Sequence, residues 1–274
     1  MIVPRHHHPA SLELPAYFAL TFAISWSFWL PAAFSGASIS TPWVRWLVYA
    51  GIAGPALAGV GLLYLSSTPA QRDDYWDRVF EFRRLGPRWL AAIALTYPLL
   101  TAPAIAFDWI ANGRMPDAGM LLRLLTHPAS LLSYLGFILL LGPVPEELGW
   151  RGYALDRLQL HRTPLRSSLI LGAAWAAWHL PLFFVYGTYQ NGLGFGTIEF
   201  WLFILTAVSC SVLMTWIYNG TDRSILSAML FHGVVNFTRA AVTLSVTAEV
   251  ARAVLLVALA AGVTCSWRTN RMGR

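Results

Sequence analysis

ILLLGPVPEELGWRGYAL, residues 138–155, is an apolar stretch that contains prolines and charged residues where a membrane helix would normally have neither. Two prolines break it, and Glu146, Glu147 and Arg151 follow among apolar neighbours. Ionisable side chains at bilayer depth cost several kcal/mol, so they are rare there and usually functional. The stretch therefore predicts a helix that ends and restarts inside a membrane, with charged groups at the break.

The composition of the whole chain agrees with a membrane location. Of its 274 residues, 57% are hydrophobic and 12% are charged, against about 25% charged in soluble domains. Every basic residue is arginine, and these arginines are scattered, which argues against a nucleic-acid partner. Cys210 and Cys265 lie in separate apolar runs, so neither a disulfide framework nor a thiolate metal cluster is indicated.

Apolar runs long enough to cross a bilayer recur along the chain. A transmembrane helix needs about 20 mostly apolar residues. Eight runs qualify, at residues 14–34, 43–65, 88–110, 127–143, 165–186, 197–218, 224–244 and 248–267. The fold class expected is all-α: a polytopic membrane helix bundle of about eight transmembrane helices, forming a single membrane domain over residues 1–274.

Arginine placement predicts the orientation. With eight spans both ends of the chain share one side, and 14 of the 19 arginines fall on that side. Arginine-rich loops face the cytoplasm. We therefore expect a multi-pass protein of the cell (plasma or inner) membrane with both termini cytoplasmic. Residues 71–88, which mix charges with aromatic side chains, predict either an amphipathic interfacial helix or a solvated connecting helix.

The glutamate pair has two different environments. Glu147 and Arg151 are four residues apart, share a helix face and can form an ion pair. Glu146 points about 100° away and has no such partner in the segment. A carboxylate without a counter-charge in an apolar setting is a candidate general base. The alternative is an interfacial salt-bridge cluster at a helix end.

Two further polar positions lie in later spans. His179 follows WAAW at residues 175–178, and Pro181 disturbs the helix just after it; its imidazole could equally serve structure by bonding a backbone carbonyl. His232 and Asn236 are four residues apart, so they could donate two hydrogen bonds to one oxyanion. A polar contact between helices is the alternative for that pair.

Taken together, these groups are the parts of a water-activating hydrolase. The chain lacks a Gly-x-Ser-x-Gly elbow and a His-Glu-x-x-His helix, so a serine hydrolase and the usual zinc-protease helix are not indicated.

Three motifs follow one another along the chain: Glu-Glu-x-x-x-Arg at 146–151, aromatic-x-x-x-His at 175–179 and His-x-x-x-Asn at 232–236. In this order they resemble those of the CAAX protease and bacteriocin-processing (CPBP, or Abi) membrane protease family, which includes the type II CAAX prenyl endopeptidases. EELGWRGYAL at 146–155 and WAAWHLPLFF at 175–184 carry the resemblance, which covers a catalytic core at about residues 125–245. It implies that Glu146 activates water and that His179 positions it. It also implies that His232 and Asn236 stabilise the oxyanion, and that Glu147 and Arg151 support the site.

The resemblance leaves the metal question open, because the family is described both as metalloproteases and as metal-free glutamate enzymes. Glu146, His179 and His232 could in principle hold a zinc ion with an open fourth position.

We therefore expect an intramembrane endopeptidase of glutamate or metal-dependent type. It would act on a membrane-associated or membrane-embedded peptide or protein, in a water-filled cavity formed by spans four to seven. A prenylated substrate fits less well if the chain is bacterial. The rival hypotheses are a catalytically inactive scaffold or immunity protein, and a transporter that uses the same polar groups. The chain shows no clear inverted repeat, which counts against the transporter.

Overall fold

The computed structural model describes residues 10–272, with side chains described for residues 13–265. Within these bounds the regular structure is helical. The α-helices are α1 (Ala10–Phe34), α2 (Pro42–Ile52), α3 (Gly54–Ser66), α4 (Pro69–Phe80), α5 (Pro87–Asn112), α6 (Gly119–Thr126), α7 (Pro128–Leu140), α8 (Pro143–Gly149), α9 (Asp156–His161), α10 (Pro164–Trp178), α11 (Tyr189–Leu193), α12 (Ile198–Gly220), α13 (Ile225–Ala241) and α14 (Val246–Met272).

Seven helical stretches are long and apolar enough to cross a membrane. They confirm the all-α polytopic bundle and the multi-pass membrane location. The eighth predicted run, at 224–244, corresponds to α13, whose 17 residues are too few for it to count among these seven. The predicted side of the termini, and the division into one domain with a catalytic core, stay predictions.

The proline-rich break has the form that the sequence predicts. α7 ends at Leu140, and α8 begins at Pro143, where a missing backbone N–H costs little. Glu146 then lies in the first turn of α8. A π-helical segment, Trp150–Leu155, follows and runs directly into α9. Single π-turns within α-helices are frequent at functional sites, and this one carries Arg151.

α10 ends as its sequence predicts. Its last helical residue is Trp178, and a 3₁₀ segment, Leu180–Phe184, contains Pro181. His179 caps the helix at the junction. The imidazole therefore lies at a helix end inside the bundle.

Buried aromatic rings fill the space beside this break. The indole of Trp178 lies 4.5 Å from that of Trp29 and 6.0 Å from that of Trp150, centroid to centroid. Tyr17 of α1 stacks on Tyr153 at 5.3 Å. Aromatic pairs at these distances add to the stabilisation from burial. They fix α1 and α10 against the π-helical segment and so make a rigid base for the polar residues.

Helix α4 is amphipathic, as the pattern at 71–88 indicates. Tyr75 and Val79 are buried against the bundle, while Phe80 at the end of the helix, and Phe82 just beyond it, are exposed. The hydroxyl of Tyr75 donates a hydrogen bond to the Leu148 carbonyl oxygen at 2.8 Å. The inner face of α4 is thereby joined to the helix that carries the two glutamates.

Candidate active site

The second glutamate of the pair holds two partners. Arg151 Nη1 donates to both carboxylate oxygens of Glu147, at 3.0 and 2.9 Å, which confirms the expected ion pair. His232 Nδ1 lies 2.9 Å from Glu147 Oε1. Both Glu147 and Arg151 are fully buried, where a charge is tolerated only when it is paired and hydrogen-bonded. This network joins α8, the π-helical segment and α13.

The first glutamate lies apart from that network. Glu146 Oε2 accepts a hydrogen bond from the indole Nε1 of Trp175 at 2.6 Å, and its side chain is buried. In the described part of the chain no arginine forms a salt bridge with it. The structure thus separates a carboxylate held by an arginine from one held by a neutral donor.

His179 is oriented by the same tryptophan. Its Nδ1 lies 2.8 Å from the backbone oxygen of Trp175. A carbonyl oxygen only accepts, so Nδ1 carries the hydrogen and Nε2 of the neutral ring is free to accept one. This bond to a carbonyl is the structural role considered for His179, yet it also fixes the ring in the tautomer that a water-orienting histidine needs.

Asn236 completes the group from α13. A methyl group built on Gly142 would lie 3.4 Å from Asn236 Nδ2 and 3.9 Å from Glu146 Oε1. The carboxamide and the glutamate therefore approach the same point of the α7–α8 connection. Gly142 therefore marks the point of the connection that lies beside both side chains.

Aromatic rings cover the polar groups. The ring of Trp175 lies 5.0 Å from that of His232 and 5.4 Å from Cζ of Arg151. Trp178 packs 4.7 Å from the ring of His179. All six predicted site residues thus belong to one assembly around the break between α7 and α8, although they come from separate spans.

The sequence analysis did not identify the roles of Trp175 and Gly142 in the site. The Trp-x-x-x-His spacing places Trp175 on the same face as His179, but nothing in the spacing names the acceptor of its indole N–H. Gly142 shows no signal beyond its place before Pro143.

The donor set proposed for zinc is not arranged as a metal site. In the part of the chain with described side chains, no group of three or more His, Cys, Asp or Glu residues is placed to hold a metal ion. His232 Nδ1 faces Glu147 and His179 Nδ1 faces a carbonyl, which leaves Nε2 as the free nitrogen of each ring. A zinc site formed by Glu146, His179 and His232 stays a prediction.

An open groove of about 510 Å³ runs along α7 and is lined by Ala129, Ser130, Ser133, Tyr134 and Phe137. Tyr134 packs 6.5 Å from Phe237, the neighbour of Asn236. The groove thus borders α13, the helix that carries His232 and Asn236. The predicted water-filled cavity around the six residues stays a prediction.

Comparison with known proteins gives two findings. Residues 128–238 match the family model described as type II CAAX prenyl endopeptidase, Rce1-like. The chain is also 25% identical over 254 residues to CAAX prenyl protease 2 of Methanococcus maripaludis, covering 90% of this chain and 91% of that protein. Both findings support an intramembrane endopeptidase.

The matched region contains α7 through most of α13, and therefore every residue of the assembly described above. The resemblance predicted from the three motifs is confirmed: residues 128–238 of this membrane protein are similar to the Rce1-like type II CAAX prenyl endopeptidases.

Proposed function

We propose that the protein is a glutamate-type intramembrane endopeptidase in which Glu146 is the general base. The observation that carries this proposal is the division of the glutamate pair. Glu147 is committed to Arg151 and His232, whereas Glu146 is held through Oε2 by Trp175 and has Oε1 directed toward Gly142 and Asn236. A general base needs a free oxygen within hydrogen-bond reach of the proton that it takes, and Glu146 Oε1 accepts no hydrogen bond from the described residues.

The proposed reaction begins with a water molecule between Glu146 Oε1 and His179 Nε2. Glu146 takes one proton as the water oxygen bonds to the peptide carbonyl carbon. His179 accepts a hydrogen bond from the same water and so orients its lone pair. The carbon–nitrogen bond then breaks, and the proton held by Glu146 passes to the departing amine. No step of this scheme requires a metal ion.

Asn236 and His232 would receive the negative charge that develops on the carbonyl oxygen. Asn236 donates through Nδ2. His232 can donate from Nε2 while Nδ1–H faces Glu147 only when the ring is an imidazolium. Arg151 would act indirectly, by holding Glu147 in place.

The substrate class follows from the relatives. CAAX prenyl protease 2 is named for a C-terminal Cys-aliphatic-aliphatic-X motif with a prenylated cysteine. We propose a membrane-associated protein or peptide of that type as the substrate of this chain. The groove along α7 is open and is lined by residues of that apolar helix, so a lipid-anchored chain could approach it from the bilayer.

The test uses purified full-length protein in liposomes and a farnesylated peptide that ends in Cys-Val-Ile-Met. Wild type should release the tripeptide Val-Ile-Met, while Glu146→Gln should be slower by about 10²–10⁴-fold, the usual contribution of a general base. Equal rates for wild type and Glu146→Gln would overturn the assignment. Asp73→Asn, at an exposed carboxylate of α4, is the matched control and should cleave at the wild-type rate.

A further inference from the structure

Two arginines outside the proposed catalytic group share one carboxylate. Arg239 Nη1 lies 3.7 Å from Glu249 Oε2, and Arg252 Nη2 donates to that same oxygen. Glu249 is the one acidic side chain within salt-bridge distance of either arginine in the described part of the chain. The cluster therefore carries an excess of one positive charge.

A second observation shows that this charge is not simply solvated. Arg252 is 1% exposed, and its Nη1 has no hydrogen-bond partner among the described residues. A buried guanidinium nitrogen that makes no hydrogen bond is costly. Tyrosines supply the remaining contacts: Arg239 donates to the hydroxyls of Tyr97, at 3.1 Å, and Tyr189, and Arg252 lies 5.0 Å from the ring centre of Tyr97. An anion is the kind of partner that would complete this cluster.

The position of the cluster relates it to the proposed active site. Arg239 follows His232 by seven residues and Asn236 by three on α13, so the three side chains share one helix face. Seven residues of α-helix rise about 10 Å. Three residues of extended peptide also span about 10 Å. A peptide cleaved at His232 and Asn236 would thus reach Arg239 with the third residue beyond the bond.

We infer that Arg239, with Arg252 behind it, binds the free C-terminal carboxylate of the peptide substrate, about three residues beyond the bond that is cleaved. This inference rests on the proposed function, because it takes the scissile bond to lie at Asn236 and His232. Arginine suits the task, since its planar guanidinium forms paired, charge-assisted hydrogen bonds with a carboxylate. The site would select chain ends and would measure the length of the fragment released.

The experiment compares two farnesylated peptides of the same sequence, ending in Cys-Val-Ile-Met, one with a free C-terminal carboxylate and one with a C-terminal amide. For wild type in liposomes, kcat/KM should be about 10–100-fold higher for the acid than for the amide. For Arg239→Gln the acid should fall to the level of the amide, so that the ratio approaches one. Arg239→Lys, which keeps the charge, should retain part of the preference.

The control is Arg114→Gln, which removes an exposed arginine in the α5–α6 connection and should leave the ratio unchanged. Because the readout is a ratio between two substrates, a smaller folded fraction does not alter it. If Arg239→Gln fails to fold, the wild-type ratio and Arg239→Lys decide the matter.

Two results would overturn this inference without affecting the proposed function: equal cleavage of acid and amide by wild type, or an unchanged ratio in Arg239→Gln. If the arginines instead bound a lipid phosphate, the ratio would be one and the rate would rise with the phosphatidylglycerol content of the liposomes. Failure of the proposed function is distinguishable, because wild type would then cleave neither peptide.

Discussion

Nδ1 of His232 lies 2.9 Å from Oε1 of Glu147, so the second glutamate of the pair, and not the first, links α8 to α13. The same carboxylate accepts both hydrogen bonds from Arg151 Nη1. The two adjacent glutamates therefore have different roles. Glu147 links α8 to α13, whereas Glu146 is held by Trp175 next to the proposed oxyanion donor.

This division predicts that the same substitution, Glu to Gln, lowers stability at position 147 and abolishes cleavage at position 146. Glu147→Gln leaves a buried arginine without its counter-ion and should reduce the free energy of unfolding by about 3–5 kcal/mol. Glu146→Gln should leave the unfolding temperature near that of wild type while cleavage is lost. Thermal unfolding in detergent and peptide cleavage, measured on both variants, check this. Unfolding temperatures lowered equally in the two would contradict the division.

Trp175→Phe isolates one hydrogen bond. It removes the indole N–H that holds Glu146 Oε2 but retains an aromatic ring against His232. We expect kcat to fall about tenfold, which corresponds to one hydrogen bond to a carboxylate. The matched control is Trp178→Phe: the Nε1 of this buried indole makes no hydrogen bond to the described residues, so the variant leaves a similar cavity without losing a bond. If both variants slow cleavage alike, packing is the cause.

The close approach of α3 and α8 depends on Gly149. A methyl group there would lie 2.2 Å from the Pro55 carbonyl oxygen and 2.5 Å from the Tyr17 hydroxyl, so the backbone must move. Gly149→Ala should therefore reduce the free energy of unfolding by about 1–3 kcal/mol. Gly61→Ala on α3 meets open space and should be neutral or slightly stabilising. Thermal unfolding of both variants in the same detergent makes the comparison.

Asp156 is expected to hold the far end of the π-helical segment. It accepts hydrogen bonds from Arg78 at 2.8 Å, Tyr218 at 2.6 Å and Arg223 at 3.1 Å, which belong to α4, α12 and the α12–α13 turn. Asp156→Asn should reduce the free energy of unfolding by about 1–3 kcal/mol, because the buried Arg78 loses a carboxylate at 2.8 Å while Asp74 still pairs with both arginines. The exposed Asp73→Asn should stay within about 0.5 kcal/mol of wild type. Chemical denaturation in mixed micelles measures both.

Chelation tests the metal-free scheme. Because Glu146, His179 and His232 are not arranged as a metal site, we expect cleavage to persist after dialysis against 1,10-phenanthroline. We also expect zinc to be well below one atom per chain by mass spectrometry. Loss of activity that zinc alone restores would instead show that these side chains rearrange around a metal ion. Unfolding measured with and without the chelator separates a catalytic effect from a structural one.

Pairing within one helix could be predicted because it depends on spacing alone. Glu147 and Arg151 are one turn apart, and their ion pair is present as expected. The end of α10 before Pro181 follows from the same local reasoning. The contact between Glu147 and His232 joins residues 85 positions apart, and no spacing rule connects two helices whose relative placement is unknown.

The amino-acid sequence by itself determined that this protein is a helical membrane bundle and which six polar residues form the candidate site. Hydropathy and the cost of burying charge act on every residue wherever its neighbours lie. Only the tertiary structure decided which glutamate is held by Arg151 and His232, which is held by Trp175, and that Arg239 and Arg252 share Glu249. Those are contacts between separate spans, and the packing of the helices, not the order of the residues, sets their distances.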